Sequence, residues 1–192
     1  MKKLILRVSI ITVFIFGLLL PAIVTGSADS GYSLKTQVLM DELKKYTDDK
    51  MTTEKNLETA DMLEYIVFSR QEWIRRHEAL PKDIIVNWPD GHQTYGRDQH
   101  IKDLTAMFAN APDAKVKMHP VRITSGDFIA ETGIITGTFT KPMPTGDGKF
   151  IQPTGRQFSV PMCAVGHWKD GVMTEEWLYW DNAAYMQQLG LE

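Results

Sequence analysis

The sequence is poor in the residues that build disulfides and metal clusters. Cys163 is its single cysteine among 192 residues, which excludes an intramolecular disulfide and any zinc cluster built on several cysteines. Cys163 stands between apolar residues in a strand-like run, a setting typical of a buried, inert thiol rather than a nucleophile. The five histidines show neither a His-x-His nor a His-x-x-x-His spacing. No metal site is therefore predicted.

Nucleotide-binding and hydrolase signatures are also missing, since the sequence contains no Gly-x-Ser-x-Gly, phosphate loop or dinucleotide fingerprint. Positive charge is scarce, with 21 Lys and Arg against 24 Asp and Glu. The compact basic spot formed by Arg75, Arg76 and His77 is interpreted as a solvated helix face. Because nucleic-acid binding requires clustered Lys and Arg to neutralise phosphates, no nucleic-acid partner is predicted.

The N-terminus has the layout of a secretory signal. Basic residues precede an apolar run from Val8 to Leu20, and Pro21 and the small residues Gly26 to Ala28 follow it. This pattern predicts a signal peptide over residues 1–28 and an exported protein, periplasmic or secreted. The apolar run is short for a membrane span, which needs about 20 residues. An uncleaved membrane anchor is the alternative, and a membrane partner is expected only in that case.

Downstream, the sequence predicts a polar leader and linker over residues 29–53 and one domain over residues 54–192. The leader is expected to hold a helix around Leu34 to Tyr46, and a second helix is expected from Thr53 because apolar residues recur there at helical spacing. Ser69-Arg-Gln-Glu72 matches a capping box, which predicts a further helix that carries Trp73 and ends at Pro81.

Strand-like runs dominate the rest of the chain. A short strand is expected over residues 84–88, an extended piece up to Tyr95, and a helix over about 98–109. Three longer strands follow at 115–124, 128–140 and 157–168, with a fourth from residue 172 and a Pro- and Gly-rich loop over 141–155. Helices first and consecutive hairpins afterwards predict an α+β fold with a curved antiparallel sheet.

The last hairpin presents the most informative carboxylate. Its turn is Lys169-Asp-Gly171, and strand alternation then places Asp181 on the same face as Trp177 and Tyr179. An acid in such an aromatic setting loses hydration and is suited to acid/base catalysis. The alternative is that Asp181 caps a helix over residues 182–189, which Gly190 ends. Spacing alone favours the cap.

The histidines offer few partners for this carboxylate. Strand geometry places His167 roughly 23 to 26 Å from Asp181 along the hairpin, so the two cannot form a dyad. His119 can reach a cavity from another strand, although a histidine in such a place is often merely half-buried. The other three histidines lie in predicted helices or loops and are expected to face solvent; they are His77, His92 and His100.

Several ordered motifs resemble one family. They are Asn110-Ala-Pro-Asp113, Gly137-Thr-Phe-Thr140, Pro153-Thr-Gly-Arg156, Trp168-Lys-Asp-Gly171, Glu176-Trp177 with Asp181, and Gln188-Leu-Gly190. Over residues 57–191 the chain is similar to the SnoaL-like polyketide cyclase (ester cyclase) family, within the nuclear transport factor 2-like superfamily. The resemblance implies a cone-shaped fold with a curved antiparallel sheet wrapped by N-terminal helices, a deep apolar cavity, no cofactor and a homodimer or higher oligomer.

The resemblance also assigns the carboxylate, because the matching Asp in that family is the acid/base residue. Asp181 is therefore the predicted catalytic group, with Tyr179 or His119 stabilising an oxyanion. Substrate is expected to contact the aromatic residues Trp73, Trp88, Phe139 and Trp177. Phe139 stands where the family often has histidine, so this chain lacks that polar group.

The resulting hypothesis is an exported, cofactor-free enzyme that transfers a proton in a hydrophobic carbonyl compound, as a cyclase, isomerase or hydrolase does. A second hypothesis is a non-catalytic module that holds an apolar small molecule in the same cavity. A third is an interaction domain that dimerises through its open sheet face.

Overall fold

The structure, a computed structural model, describes residues 29–145 and 147–191, without the side chains of residues 29–32, 76 and 77. The predicted signal peptide lies outside these residues, and the domain boundaries at residues 28 and 53 stay predictions. The chain divides into two compact units, one ending at Asp41 and the other beginning at Glu42. Among the described residues, none of the helices combines the length and the apolar character needed to cross a membrane.

The N-terminal helix is longer than predicted. Helix α1 runs without a break over Asp29–Asp61, so the residues before Thr53 that were expected to form a linker are helical. The polar residues there support the helix, because Lys44 pairs with Asp48 at 3.1 Å and Lys50 with Glu54 at 4.0 Å, which are favourable i,i+4 contacts. A π-helical segment, Met62–Phe68, follows directly.

Ser69 ends this helical stretch instead of starting the next one. Its hydroxyl donates to the Glu64 carbonyl at 2.9 Å and accepts the Val116 amide at 3.1 Å. Both hydrogen bonds hold Ser69 against the preceding turn and a neighbouring strand, so the predicted capping box is wrong. Trp73 instead starts a short 3-10 helix, Trp73–Glu78.

The second unit carries a mixed sheet. Its elements are β1 Ile85–Asn87, β2 Gln93–Tyr95, α2 Arg97–Asn110, β3 Lys115–Val116, β4 Arg122–Ser125, β5 Phe128–Thr138, β8 Gln157–Lys169, β9 Val172–Trp180 and α3 Asn182–Leu189, with a small ladder of β6 Met143–Pro144 and β7 Phe150–Ile151. The strand order is β2-β1-β9-β8-β5-β3, and β4 also pairs with β5. Strand β1 runs parallel to β9 and the other pairs are antiparallel, which confirms the α+β class.

The strand predicted over residues 115–124 is divided in two. Strands β3 and β4 both pair with β5, and the chain between them contains Pro120, which has no amide hydrogen to donate to a strand ladder. The loop predicted over 141–155 contains the β6–β7 ladder. These differences are local, and the predicted order of helices and strands is confirmed.

Helix α3 completes the sheet where β9 ends. The Gln188 side chain accepts the Ser159 amide at 2.7 Å and donates to the Ser159 carbonyl at 3.3 Å, so it substitutes for a strand neighbour of β8. Gly190 ends the helix with φ 78°, a left-handed conformation that favours glycine. A Cβ at Gly190 would also lie 2.9 Å from the Arg156 guanidinium.

Candidate functional site

An apolar pocket lies between α2, the inner face of the sheet and α3. Its volume is about 360 Å³, which lies within the size range of small-molecule sites. Most of the lining is apolar and aromatic, including Phe68, Met107, Phe108, Phe158, Val160 and Trp180. Such a lining favours a hydrophobic ligand.

A tyrosine supplies a polar group to this pocket. Tyr185 lines the pocket, and its hydroxyl oxygen accepts a hydrogen bond from Asn110 Nδ2 at 3.0 Å. Burial raises the pKa of Tyr185, against a smaller opposing effect of the bond from Asn110. The phenol is therefore neutral at physiological pH, and its O–H group is suited to donate to a ligand oxygen.

A second, smaller cavity of about 20 Å³ adjoins the pocket and holds a buried acid/base pair. His100 projects from the first turn of α2 and Glu176 from the inner face of β9. The His100 and Glu176 side chains are 1% and 7% exposed, and Nε2 lies 3.3 Å from Oε2. The two cavities share the lining residues Phe68, Met107, Ile135 and Trp180. The pair therefore lies next to the space that a pocket ligand would occupy.

The interior holds a second buried carboxylate, that of Glu131. Glu131, on the inner face of β5, has its Oε2 3.0 Å from Arg122 Nε and 3.9 Å from His119 Nδ1. His119 Nδ1 also lies 2.9 Å from the Thr132 carbonyl oxygen, so this nitrogen carries the hydrogen. Burial raises the pKa of Glu131, while His119 and Arg122 act in the opposite direction.

The Asp181 side chain is not among the groups that line the pocket, although its neighbours Trp180 and Asn182 are. Its side chain is exposed and accepts the Ala184 amide at 2.9 Å as the N-cap of α3. Tyr179 and Trp177 oppose Cys163 and Val165 on the outer face of the hairpin, and Tyr179 is 53% exposed. The inner positions of β9 hold Glu176, Leu178 and Trp180 instead.

The other predicted contact residues fall behind the pocket wall. Trp73 makes an edge contact with Phe108, with ring centres 5.5 Å apart, and Trp88 makes one with Trp180 at 6.2 Å. Phe139 is fully buried in the core. Trp73 and Trp88 thus support lining residues rather than forming the surface that a ligand meets.

The histidine predictions have mixed outcomes. His119 reaches the interior, as the sequence suggested, with its side chain 1% exposed. The expectation that His100 faces solvent is wrong, because the first turn of α2 packs its ring against Glu176 and Trp88. His167 lies opposite Glu175 on the outer face and stacks on Phe128 at 4.6 Å. It is therefore no partner for Asp181.

Cys163 is half-buried, and burial raises the pKa of its thiol, with a further contribution from the nearby Glu131 carboxylate. A thiol in that state is a poor nucleophile. Within the described ranges, no group of three or more His, Cys, Asp or Glu side chains could hold a metal ion.

Comparison with solved structures supports the fold. A candidate SnoaL-like polyketide cyclase from Jannaschia sp. CCS1 is 19% identical with a TM-score of 0.64, covering 72% of this chain and 94% of its own. IdmH, a candidate polyketide cyclase from Streptomyces antibioticus, is 23% identical with a TM-score of 0.60, covering 71% and 99%. AclR, a candidate hydroxylase from Streptomyces galilaeus, is 17% identical with a TM-score of 0.58, covering 72% and 82%. No curated protein matches the chain.

These likenesses, together with helices that precede an open curved sheet around an apolar pocket, define the class as a nuclear transport factor 2-like α+β protein. The SnoaL-like polyketide cyclase family matches residues 59–189, and the chain belongs to that family. The family and its fold suggest a small-molecule enzyme or binder.

Sequence reasoning missed the His100–Glu176 pair. The available signal was Glu176 itself, a charged residue at a position that alternates with Leu178 and Trp180 along β9. A charge on an otherwise apolar strand face usually has a partner. That partner comes from α2, far away in the sequence, so spacing alone gives no indication of it.

Proposed function

We propose that this protein is a cofactor-free enzyme that moves a proton within a hydrophobic carbonyl compound. The observation that carries the proposal is the buried His100–Glu176 pair, in a cavity that shares four lining residues with the 360 Å³ pocket. Cyclisation, isomerisation and some hydrolytic reactions of such compounds all begin with a proton transfer of this kind. Family membership supports the same class of chemistry.

Two features of the pair suit proton abstraction. The Glu176 carboxylate lies 3.3 Å from the His100 ring, and a negative charge at that distance favours a protonated imidazole. Both groups are shielded from water, which strengthens the interaction between their charges. The pair takes a proton from the carbon next to the carbonyl and returns it to another atom of the ligand, so no net proton is consumed.

Tyr185 supplies the complementary group. As the proton leaves carbon, negative charge develops on the carbonyl oxygen, and a hydrogen-bond donor aimed at that oxygen lowers the barrier. The neutral phenol of Tyr185, held by Asn110 at 3.0 Å, fills this role in the proposal. The aromatic lining holds the rest of the ligand.

The test uses a model ketone, because the natural substrate is not needed to detect proton abstraction. Wild-type protein is incubated with 2-tetralone in deuterated buffer, and loss of the α-proton signals is followed by NMR. Glu176→Gln should reduce exchange above the buffer rate by about a hundredfold, because general-base catalysis contributes that much. Ala106→Trp, at an exposed position of the pocket wall, should block entry and remove exchange as well. Wild-type exchange that both variants retain would overturn the proposal.

The second candidate is a module that binds an apolar ligand without changing it. It is favoured by the position of His100 and Glu176, which line the small cavity behind the pocket rather than the pocket itself. For a binder, 2-tetralone quenches tryptophan fluorescence in wild-type protein but not in Ala106→Trp, and the ketone gains no deuterium above the buffer rate in either. Co-purification of an unaltered small molecule, measured by native mass spectrometry, supports the same function.

Export is also part of the proposal, and its support is the sequence of residues 1–28 alone. Periplasmic or culture-medium recovery of the full chain, with mass spectrometry of its N-terminus, tests export and cleavage together. A homodimer or higher oligomer, which the resemblance in the sequence implies, is a further part of the proposal, and light scattering of the purified protein tests it.

A further inference from the structure

Two buried carboxylates on different strands face one small cavity. Glu131 on β5 and Glu176 on β9 are each 5% exposed, and both line a third cavity. Its volume is also about 20 Å³, and it is distinct from the cavity that His100 lines. Strand β8 lies between β5 and β9, and it has small residues opposite the two carboxylates: Ala164 opposes Glu131 and Gly166 opposes Glu176. Small side chains on β8 therefore leave the space between the two carboxylates open.

A buried indole N–H lies at the same cavity. Trp168 lines it, is 2% exposed, and its Nε1 has no hydrogen-bond partner among the described residues. A Cβ at Gly166 would lie 2.7 Å from that nitrogen, so any larger residue at this position would collide with the indole ring. The cavity has room for one water molecule, and an N–H donor with two carboxylates provides the polar partners that a buried water needs.

We propose that Glu131 is a positioning residue for the His100–Glu176 pair, because the Glu131 and Glu176 carboxylates titrate as one coupled system across this cavity. The inference rests on the proposed function and adds a role for a residue outside the pair. Ionised Glu131 disfavours a second negative charge on Glu176 and favours a protonated His100. Glu131 thereby sets the pH range in which the pair is able to accept a proton.

The charges around Glu131 agree with this coupling. The titratable and charged groups around it are Asp61 from α1, Glu64 and Tyr65 from the π-helical segment, His119, Arg122 from β4 and Glu176 from β9, with Cys163 on the other face of β8. Arg122 contacts both Asp61 and Glu131, so its positive charge is divided between two carboxylates. It therefore does not neutralise Glu131 completely, and a negative charge is left to act on Glu176.

The pH dependence of α-proton exchange tests the role of Glu131. In the proposal, exchange falls at low pH as the pair becomes protonated, and Glu131→Gln removes a neighbouring negative charge without changing the size of the side chain. The acid limb should move to lower pH by about one unit, within the usual effect of a nearby charge. Glu175→Gln is the matched control, since Glu175 lies on the outer face of β9 and accepts a bond from Asn87. It should leave the acid limb in place.

The outcomes separate the inference from the proposed function. If Glu131→Gln has the wild-type acid limb while Glu176→Gln loses exchange, the inference is wrong and the proposed function stands. If Glu176→Gln keeps wild-type exchange, the proposed function itself fails. Neither result requires the natural substrate.

A measurement on wild-type protein covers the case in which Glu131→Gln does not fold. With glutamate labelled at the side-chain carboxyl carbon, the ¹³C signal of Glu176, identified by its loss in Glu176→Gln, is followed against pH. Because the His100 ring, 3.3 Å from Glu176, affects this signal as well, coupling with Glu131 predicts three inflections. Two inflections or fewer would overturn the inference.

Discussion

Removing the Asp181 side chain should weaken the start of α3 and little else. Asp181 accepts the Ala184 amide at 2.9 Å and is exposed. In Asp181→Ala that amide loses its protein partner and bonds water instead. Loss of an N-cap costs about 1 kcal/mol, which lowers the Tm of a domain of this size by about 3 °C.

The matched variant is Asp181→Asn, because asparagine caps helices as well as aspartate does. Its Tm should stay within about 1 °C of wild type. Differential scanning calorimetry of the three proteins in one buffer measures both differences. Equal destabilisation by Asn and Ala, or none by Ala, would show that the capping bond does not stabilise α3 and would reopen a charge-dependent role for Asp181.

Two further predictions concern buried groups. Burial raises the pKa of Glu131 in the folded protein, so the stability owed to its protonated form is present at low pH and lost as pH rises through the raised pKa. The free energy of unfolding of wild type relative to Glu131→Gln should therefore fall as pH rises above the ordinary pKa of glutamate. A constant difference in urea titrations would contradict this. Tyr185→Phe should weaken 2-tetralone binding about fivefold, which corresponds to the loss of one hydrogen bond. The binding of tetralin, which has no carbonyl, should not change. Equal effects on both ligands in fluorescence titrations would contradict the role of the phenol.

The fold follows closely from sequence pattern, because helices and strands differ in the spacing of their apolar residues. The order of elements and the Gly190 helix end appear as predicted, and the turn predicted at Lys169–Gly171 is formed by Asp170 and Gly171, since Lys169 still belongs to β8. The errors arose where local signals have two interpretations. Ser69 and Glu72 have capping-box spacing, yet the Ser69 hydroxyl bonds backward to Glu64.

The site was harder to predict for a different reason. Strand alternation predicts which residues share a face, but it does not predict which of the two faces is buried. The predicted site was therefore placed on the outer face of the hairpin, with Trp177 and Tyr179. The inner face of β9 carries Glu176, and its partner His100 comes from a helix far away in the sequence. Only tertiary packing brings these two residues together.

The central claim is that proton transfer depends on the interior pair and not on the carboxylate at the helix start. Deuterium incorporation into 2-tetralone, measured side by side for Glu176→Gln and Asp181→Asn at neutral pH, tests it most directly. The account predicts a loss of about a hundredfold in Glu176→Gln and a wild-type rate in Asp181→Asn. A wild-type rate in Glu176→Gln together with a lost rate in Asp181→Asn would contradict it.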